Sequence, residues 1–435
     1  MLITELQQHT EHIEENAHDI DPFGNWAPYT VYPQSEDEVA RILSFASRKG
    51  LKVIPMGGGT KRGFGGTSAK ADLLLSLSRL RGIVEHSPGD LTITVKPGTT
   101  IAEIRAALAE RGQMLPLDPY WPQTATIGGV VAANDSGPKR LKYGSARDHV
   151  IGLCTVYPDG RIIRSGGKVV KNVAGYDMNK LFIGSMGTLG VLTEITMKLR
   201  PLPKDERLVL LTFKEDKTDE IRQFVIQLLD SVLEPVTLEL LNPLLNKRLA
   251  EQEGYGLAIA FEDREKAVDY QVQWIKNNVP QGTYVNILKQ DKAREWWHRF
   301  AILPPNPSEQ YEQAQREVAL KIGSKNLDVL PIVEACQRLA GQHGVALEAH
   351  GGVGHGLSTV YIRENSPQTE TVVNKIRSFV EQKNGYVVIR HAPLSFRQKV
   401  SVWGNKPAYF SILEGIRKTI DPQLTLNHKR FVGGL

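Results

Sequence analysis

The stretch LKVIPMGGGTKRGFGG, residues 51 to 66, decides how the rest of the chain is read. LKVIPM reads as a strand, and it runs straight into a loop with six glycines between Gly57 and Gly66. A strand that ends in a glycine loop suits phosphate, because successive backbone N–H groups in a tight turn form an anion-binding nest. So much glycine costs chain entropy, which is tolerated where the backbone has to approach something closely. No start position in the loop satisfies G-x-G-x-x-G. The pattern G-x-x-x-x-G-K-[ST] fails as well, since Gly58 and Gly63 are followed by Phe64 rather than lysine. Rossmann and P-loop readings are therefore set aside.

Upstream, Leu2, Leu6, His9 and Ile13 share one face of a predicted helix, so residues 1–26 read as a helical leader. Ser35 and Glu38 make a capping box ahead of an apolar stripe of Val39, Ile42, Leu43 and Ala46, and Gly50 stands where the helix should stop. Downstream, short strands surround a helix capped by Thr100 and Glu103. Two further small-residue clusters follow at Gly128-Gly129 and Ser136-Gly137, and then a hairpin turned at Asp159-Gly160. In the unit from Lys168 to Pro203, Asp177 is expected to cap a helix over MNKLFIGS, GTLG breaks it, and VLTEITMKL alternates as a half-buried strand. Glycine clusters alternating with strands in this way suggest a long dinucleotide laid across one α+β domain.

After Pro203 the clusters stop and a β-α-β-β-α-β rhythm begins, the pattern of a ferredoxin-like cap. Asn306, between prolines, marks a loop inside it. Composition fits a globular protein of two or three domains, with 41% hydrophobic and 23% charged residues. The net charge of +5, without a block of like charges, gives little support to nucleic-acid binding. Cys154 and Cys336 are too few for an iron–sulfur cluster or a cysteine zinc site. The acidic N-terminus lacks a signal-peptide core and no long apolar run occurs, so a cytoplasmic chain reaching a membrane only through partners is expected.

Three motifs in order, PMGGGTKRGFGG, TIGGVVAANDSG followed by YGSARDHVIG, and GTLGVLTEITMKLRP, resemble the FAD-linked oxidases with the fold of vanillyl-alcohol oxidase and p-cresol methylhydroxylase. Within that family, KNVAGYD, VWG at 402–404 and the ending IDPQLTLNHKRFVGGL are similar to the E-type FAD-binding subunit of glycolate oxidase. The resemblance implies an α+β fold: an FAD-binding domain of two subdomains over 27–203, a ferredoxin-like cap over 204–400, and a helix and tail over 401–435 that return to the FAD domain. It puts the pyrophosphate on Gly57, Gly58, Gly59, Thr60 and Lys61, with Gly65 and Gly66 finishing the loop. Thr126, Gly128, Gly129, Ser136 and Gly137 would follow the ribityl chain and isoalloxazine, supported by Gly144, Arg147 and Asp148. Gly190, Val191 and Leu192 would wall the adenine. Because the loop holds neither histidine nor cysteine, non-covalent FAD is expected.

The cap offers His350, His355, Arg363, Arg390, His391 and Arg397 to a substrate. Related enzymes carry H-x-G-D-G-N-x-H where this chain has Val353, His355 and Leu357 in place of Asp, Asn and the second His, so no metal is expected. Arg390 and His391 are the expected carboxylate holder and base for a small 2-hydroxy acid. Lys171, Asn172 and Tyr176 are expected to face substrate or a partner. The implied partners are a paralogous flavin subunit and an iron–sulfur subunit. A flavin-bearing relay without its own substrate site, and a stand-alone oxidase of another alcohol or sugar acid, remain alternatives.

Overall fold

The computed structural model describes residues 2–16, 21–68, 70–168 and 175–435. Two sheets make the first half. One has four strands in the order 13–15, 29–31, 73–76, 53–56, parallel across the last three. The other has five antiparallel strands in the order 83–87, 92–95, 191–198, 150–156, 162–166.

Local chemistry accounts for most of these elements. Helix Glu36–Lys49 begins where Ser35 accepts the Glu38 N–H at 3.2 Å and ends at Gly50, whose φ of +70° is left-handed. It buries Val39, Ile42, Leu43, Phe45 and Ala46 against the four-stranded sheet. The cap is one-sided, since the Glu38 carboxylate accepts from Gln34 N rather than closing the box onto Ser35. Thr100 and Glu103 do form the reciprocal box. Gly160, at φ +90°, turns the hairpin between strands 150–156 and 162–166.

Two sequence expectations change. Helix in the leader is confined to Leu2–Leu6, and Ile13–Glu15 is a strand pairing with Tyr29–Val31, because the sheet edge offers Ile13 an apolar neighbour in Val31. Asp177 does not cap a helix: the turn Asn179–Phe182 begins after Met178 without a side-chain cap, and Asp177 instead lies 3.4 Å from the Lys180 ammonium.

The second half is one antiparallel sheet of eight strands, in the order 284–289, 205–213, 255–263, 237–241, 348–352, 357–362, 318–323, 386–391. It comprises two ferredoxin-like units, each with its strands in the spatial order 4-1-3-2, joined edge to edge where 237–241 pairs with 348–352. The sequence rhythm predicts a ferredoxin-like cap; the structure doubles it. Alternation along Arg207–Phe213 shows how both faces are buried: Val209, Leu211 and Phe213 enter one core, Leu208 and Leu210 the other. The second of these cores also takes Tyr120 and Tyr143 from the first half, which seats the cap on that half. Near the C-terminus, Thr425 and Asn427 bond to Val53 at 2.7 and 2.9 Å, so the tail lies beside the strand that leads into the glycine loop.

Candidate functional site

Strand Val53–Met56 delivers the glycine loop to one wall of a cleft, helix Ile127–Ala133 presents its N-terminus to it, and residues between Met186 and Leu192 form a further wall. Asn427 and Arg430 of the tail close it. The cleft opens to solvent, and about 910 Å³ of space lies within it when that solvent is included.

The loop is polarised by its neighbours. Its carbonyls are taken up from outside: Arg430 donates to Lys61 O and Phe64 O at 2.8 and 3.2 Å, and Asn25 donates to Arg62 O and Gly65 O at 2.7 and 3.3 Å. Arg397 donates to the Gly65 and Gly66 carbonyls. The backbone N–H groups of Gly57, Gly58, Gly59, Thr60 and Lys61 find no acceptor among the described residues. Five successive unpaired amides on a cleft wall fit a pyrophosphate.

Most of the loop's glycines answer to protein rather than to ligand. A Cβ on Gly57 would strike the Thr126 hydroxyl, one on Gly58 the Thr124 carbonyl, and one on Gly63 the His391 ring. Gly65 and Gly66 also sit at φ +60° and +73°. Gly128 packs on Pro97, and Thr126 caps its helix by accepting the Gly129 N–H. Gly190 lines the cleft but its α-carbon faces buried Thr155. Val191 and Leu192 line the same wall.

Lys61 turns its ammonium to Asp135, 2.8 Å away, and Asp135 accepts from Arg390 at 2.6 Å. This triad links the glycine loop to the cap and borders two small pockets, one lined by Thr60, Lys61, Tyr120, Trp121, Arg390 and His391 among others, and an inner one lined by Tyr120, Asp135, Ser136, Gly137, Glu239, Lys321, His350, His355, Ser358, Thr359 and Arg390. Burial alone would raise the Asp135 pKa; Arg390 and Lys61 overcome it and hold the carboxyl well below the usual range. The Arg390 guanidinium lies 4.7 Å from the Tyr120 ring centroid. Asp118 fixes the Ser136-Gly137 turn by accepting from Gly137 N and Lys139 N at 3.0 and 2.7 Å.

The seam between the two cap units brings Glu239 and His350 together, Oε1 to Nδ1 at 2.5 Å, with His350 Nε2 3.1 Å from the Tyr361 hydroxyl. Burial drives both toward their neutral forms, lifting Glu239 to about 8 and lowering His350 to about 3. The shared proton therefore belongs to the carboxyl, which donates it to Nδ1. His355 Nδ1 accepts from Leu357 N, which leaves the proton on Nε2. Glu239 Oε2 and His355 Nε2 are buried without partners among the described residues, whereas Ser358 Oγ, also without one, faces Gly351 and Val329 on the other side of the sheet. Buried polar atoms like the first two, converging on one pocket, suit a polar guest.

The expected residues distribute unevenly. Gly57–Lys61, Thr126, Gly128, Gly129 and Gly190–Leu192 share the cleft, and Ser136, Gly137 and Arg390 share the inner pocket. Gly144, Arg147 and Asp148 are absent from both linings: Asp148 accepts from Ser145 N at 2.7 Å and Arg147 donates to Lys180 O at 2.9 Å, so they shape the turn into strand 150–156. His391 lines the small pocket beside the glycine loop together with Arg390, but its Nε2 bonds to Ala314 O at 2.8 Å, its ring packs on Gly63, and burial lowers its pKa to about 4. Arg397 pins loop carbonyls, and Arg363 pairs with Glu317 and Glu348. Tyr176 is 92% exposed, and Lys171 and Asn172 lie outside the described residues. Asp135, Glu239, Lys321, Tyr120, Asn427 and Arg430 join the site without having been expected there. Two of them carry a signal in the sequence: Glu239 in VTLELL and Lys321 in VALKIG are charges inside apolar strands. Among the described residues no cluster of His, Cys, Asp or Glu could hold a metal ion, and no helix is long and apolar enough to cross a membrane.

Residues 27–166 match the model of a family described as FAD binding domain. Over 212 residues the chain is 38% identical to glycolate oxidase subunit GlcD of Bacillus subtilis, covering 49% of this chain and 45% of that protein. It is 50% identical over 125 residues to glycolate oxidase subunit GlcE of Escherichia coli, covering 28% and 36%. The chain thus spans half or less of the length of these curated relatives. A 4-ethylphenol oxidase from Gulosibacter chungangensis superposes with a TM-score of 0.75 at 16% identity, covering 98% of this chain and 96% of that one, and shares the fold. The chain carries an FAD-binding domain, in the α+β architecture of the vanillyl-alcohol oxidase and p-cresol methylhydroxylase type.

Proposed function

We propose that this FAD-binding chain is an oxidoreductase of small 2-hydroxy acids and serves as a flavin subunit of a glycolate oxidase-type complex, of the GlcE kind. The observation that carries the reading is the continuity from five unpaired loop amides, through the Lys61–Asp135–Arg390 triad, to a cap pocket whose buried polar atoms lack partners. Gly57 to Lys61 would hold the pyrophosphate by backbone N–H, with Thr126, Gly128 and Gly129 along the ribityl chain and Gly190 to Leu192 beside the adenine. The residues lining the cleft include neither histidine nor cysteine, which supports non-covalent attachment.

When bound, the flavin supplies a two-electron acceptor for the hydride of the substrate's α-carbon. The chain's own residues do the rest. Arg390, fixed against Asp135 and Tyr120, lends positive charge to the pocket without freedom to swing. Glu239, with Oε2 unpartnered, is better placed than His391 to take the hydroxyl proton, and its elevated pKa suits a base working in mildly alkaline solution. Tyr120 and the apolar core behind it keep bulk water from one side.

Cys154 and Cys336 are buried, free and far apart in sequence, too few to hold a cluster, and the proposed route for onward electrons is an iron–sulfur partner. The two relatives, named as different subunits of glycolate oxidase, support a paralogous flavin partner. The changed positions Val353 and Leu357 favour one other reading, a flavin relay without its own substrate. Anaerobic mixing of the FAD-loaded chain with glycolate and D-lactate separates the two. Bleaching of the visible flavin band by the isolated chain is expected; bleaching that requires a second flavin subunit would establish the relay.

A further inference from the structure

The inner pocket carries more positive than negative charge. Arg390 and Lys321 line it with a single ionised carboxylate among its described residues, Asp135, and that carboxylate is already shared by Arg390 and, from the glycine loop, Lys61. Lys321 stands in the middle of strand Val318–Gly323, whose other side chains are apolar or absent. Its ammonium makes no hydrogen bond or ion pair among the described residues, while Arg390, Arg140 and Lys61 repel it. A mostly buried cation without a partner is costly unless an anion comes to it. Thr359 stands directly opposite Lys321 on the neighbouring strand, and the unpartnered His355 Nε2–H lines the same pocket. Both are donors, in a pocket that the glycine loop does not line.

We propose that Lys321 binds the carboxylate of the substrate, with Thr359 and the His355 Nε2–H as its companions, and so restricts this pocket to hydroxy acids over uncharged alcohols. The inference rests on the proposed 2-hydroxy acid chemistry and assigns to Lys321 the role that the sequence suggested for Arg390. Arg390 then acts as a fixed background charge and Lys321 as the contact.

Burial and Arg390 lower the lysine's pKa to about 8, so its charge is complete below that pH and is lost above it. Of the groups facing it, only Glu239 also titrates in this range. Asp135 stays ionised, His350 and His355 stay neutral, Tyr120 and Tyr361 are held protonated by burial, and Arg390 stays charged beside the cations Lys61 and Arg140.

The test uses the FAD-loaded chain and oxalate, a two-carbon anion that cannot be oxidised by hydride loss, with binding read by calorimetry and glycolate reduction read by flavin bleaching. Lys321→Met is expected to weaken oxalate roughly 10- to 150-fold, the loss of one charge-assisted hydrogen bond, with FAD content unchanged. Lys321→Arg should recover most of the affinity. In a Glu239→Gln background, where only the lysine titrates near pH 8, oxalate affinity should fall above that pH, and adding Lys321→Arg should flatten the profile. A Lys321→Met chain that keeps its FAD and binds oxalate as the unaltered chain does overturns the proposal, as does a chain reduced by glycolate that binds no oxalate. An unaltered FAD-loaded chain that neither binds oxalate nor is reduced by any hydroxy acid overturns the proposed function together with it.

Discussion

Replacing Arg397 by Met tests whether outward-held carbonyls set the glycine loop. Arg397 is 2% exposed and has no carboxylate partner among the described residues; it donates to the carbonyls of Ala392, Gly65, Gly66 and Phe23. It therefore ties the cap, the glycine loop and the leader at Phe23 to one guanidinium. Charge-assisted hydrogen bonds contribute about 1.5–3 kcal/mol each, which for this set is roughly 6–12 kcal/mol. Against this stands the cost of burying the charge. Burial and the nearby Arg430 pull the Arg397 pKa from 12.5 to about 9, a penalty of roughly 5 kcal/mol at 1.36 kcal/mol per pH unit. The favourable term wins by roughly 1–7 kcal/mol, and methionine fills the volume without replacing any donor. Since two of the four carbonyls belong to the glycine loop, a share of that loss should appear in cofactor binding. FAD affinity, measured by quenching of flavin fluorescence on titrating the apo chain, is expected to fall at least about tenfold, equivalent to about 1.4 kcal/mol. A Gly66→Ala chain, which places a Cβ against the Asn25 amide at φ +73°, should lose affinity in the same way through the same loop. An Arg397→Met chain that folds and keeps FAD within twofold would refute the idea that these donors shape the site.

Glu239 has a folded pKa of about 8 against 4.5 for the free group, so its contribution to stability is complete below pH 4.5 and is lost as pH rises to 8; Glu239→Gln should flatten the fall in urea midpoint across that window, and an unchanged slope would count against the buried neutral pair. Gly190→Val should lower the melting temperature as well as FAD retention, because the new side chain enters the Thr155 and Phe182 core; a loss of FAD alone would show that only the cleft wall is affected. His391→Asn should lower the melting temperature while leaving the pH dependence of flavin bleaching unchanged, since His391 is bonded to Ala314 O behind the loop; a displaced pH profile would return it to the chemistry.

The legible parts of this molecule are those whose cause is local. The Thr100–Glu103 box, the Gly50 stop and the Asp159-Gly160 turn each depend on residues three or four apart, and each is present. The glycine loop is likewise legible as a loop, but the partners that polarise it, Asn25, Arg397 and Arg430, come from three distant segments. The strand at Ile13–Glu15 is hidden because an apolar residue every three or four positions also fits a helix, and only the neighbouring edge at Val31 decides between them. In the inner pocket, Asp135, Glu239, Lys321 and His350 are brought together by the domain contact and by the seam between two cap units. No spacing along the chain encodes that. What the sequence does carry is the oddity of each residue in its place, a glutamate or lysine within an apolar strand, and the structure turns the oddities into one cluster.

The most direct measurement mixes the FAD-loaded chain anaerobically with glycolate and with glycolate deuterated at its α-carbon, following the visible flavin band in a stopped-flow instrument. Hydride transfer to the flavin requires complete bleaching by both acids, several-fold slower with the deuterated one. A chain that holds one FAD yet stays oxidised with glycolate, D-lactate and other small 2-hydroxy acids would contradict it.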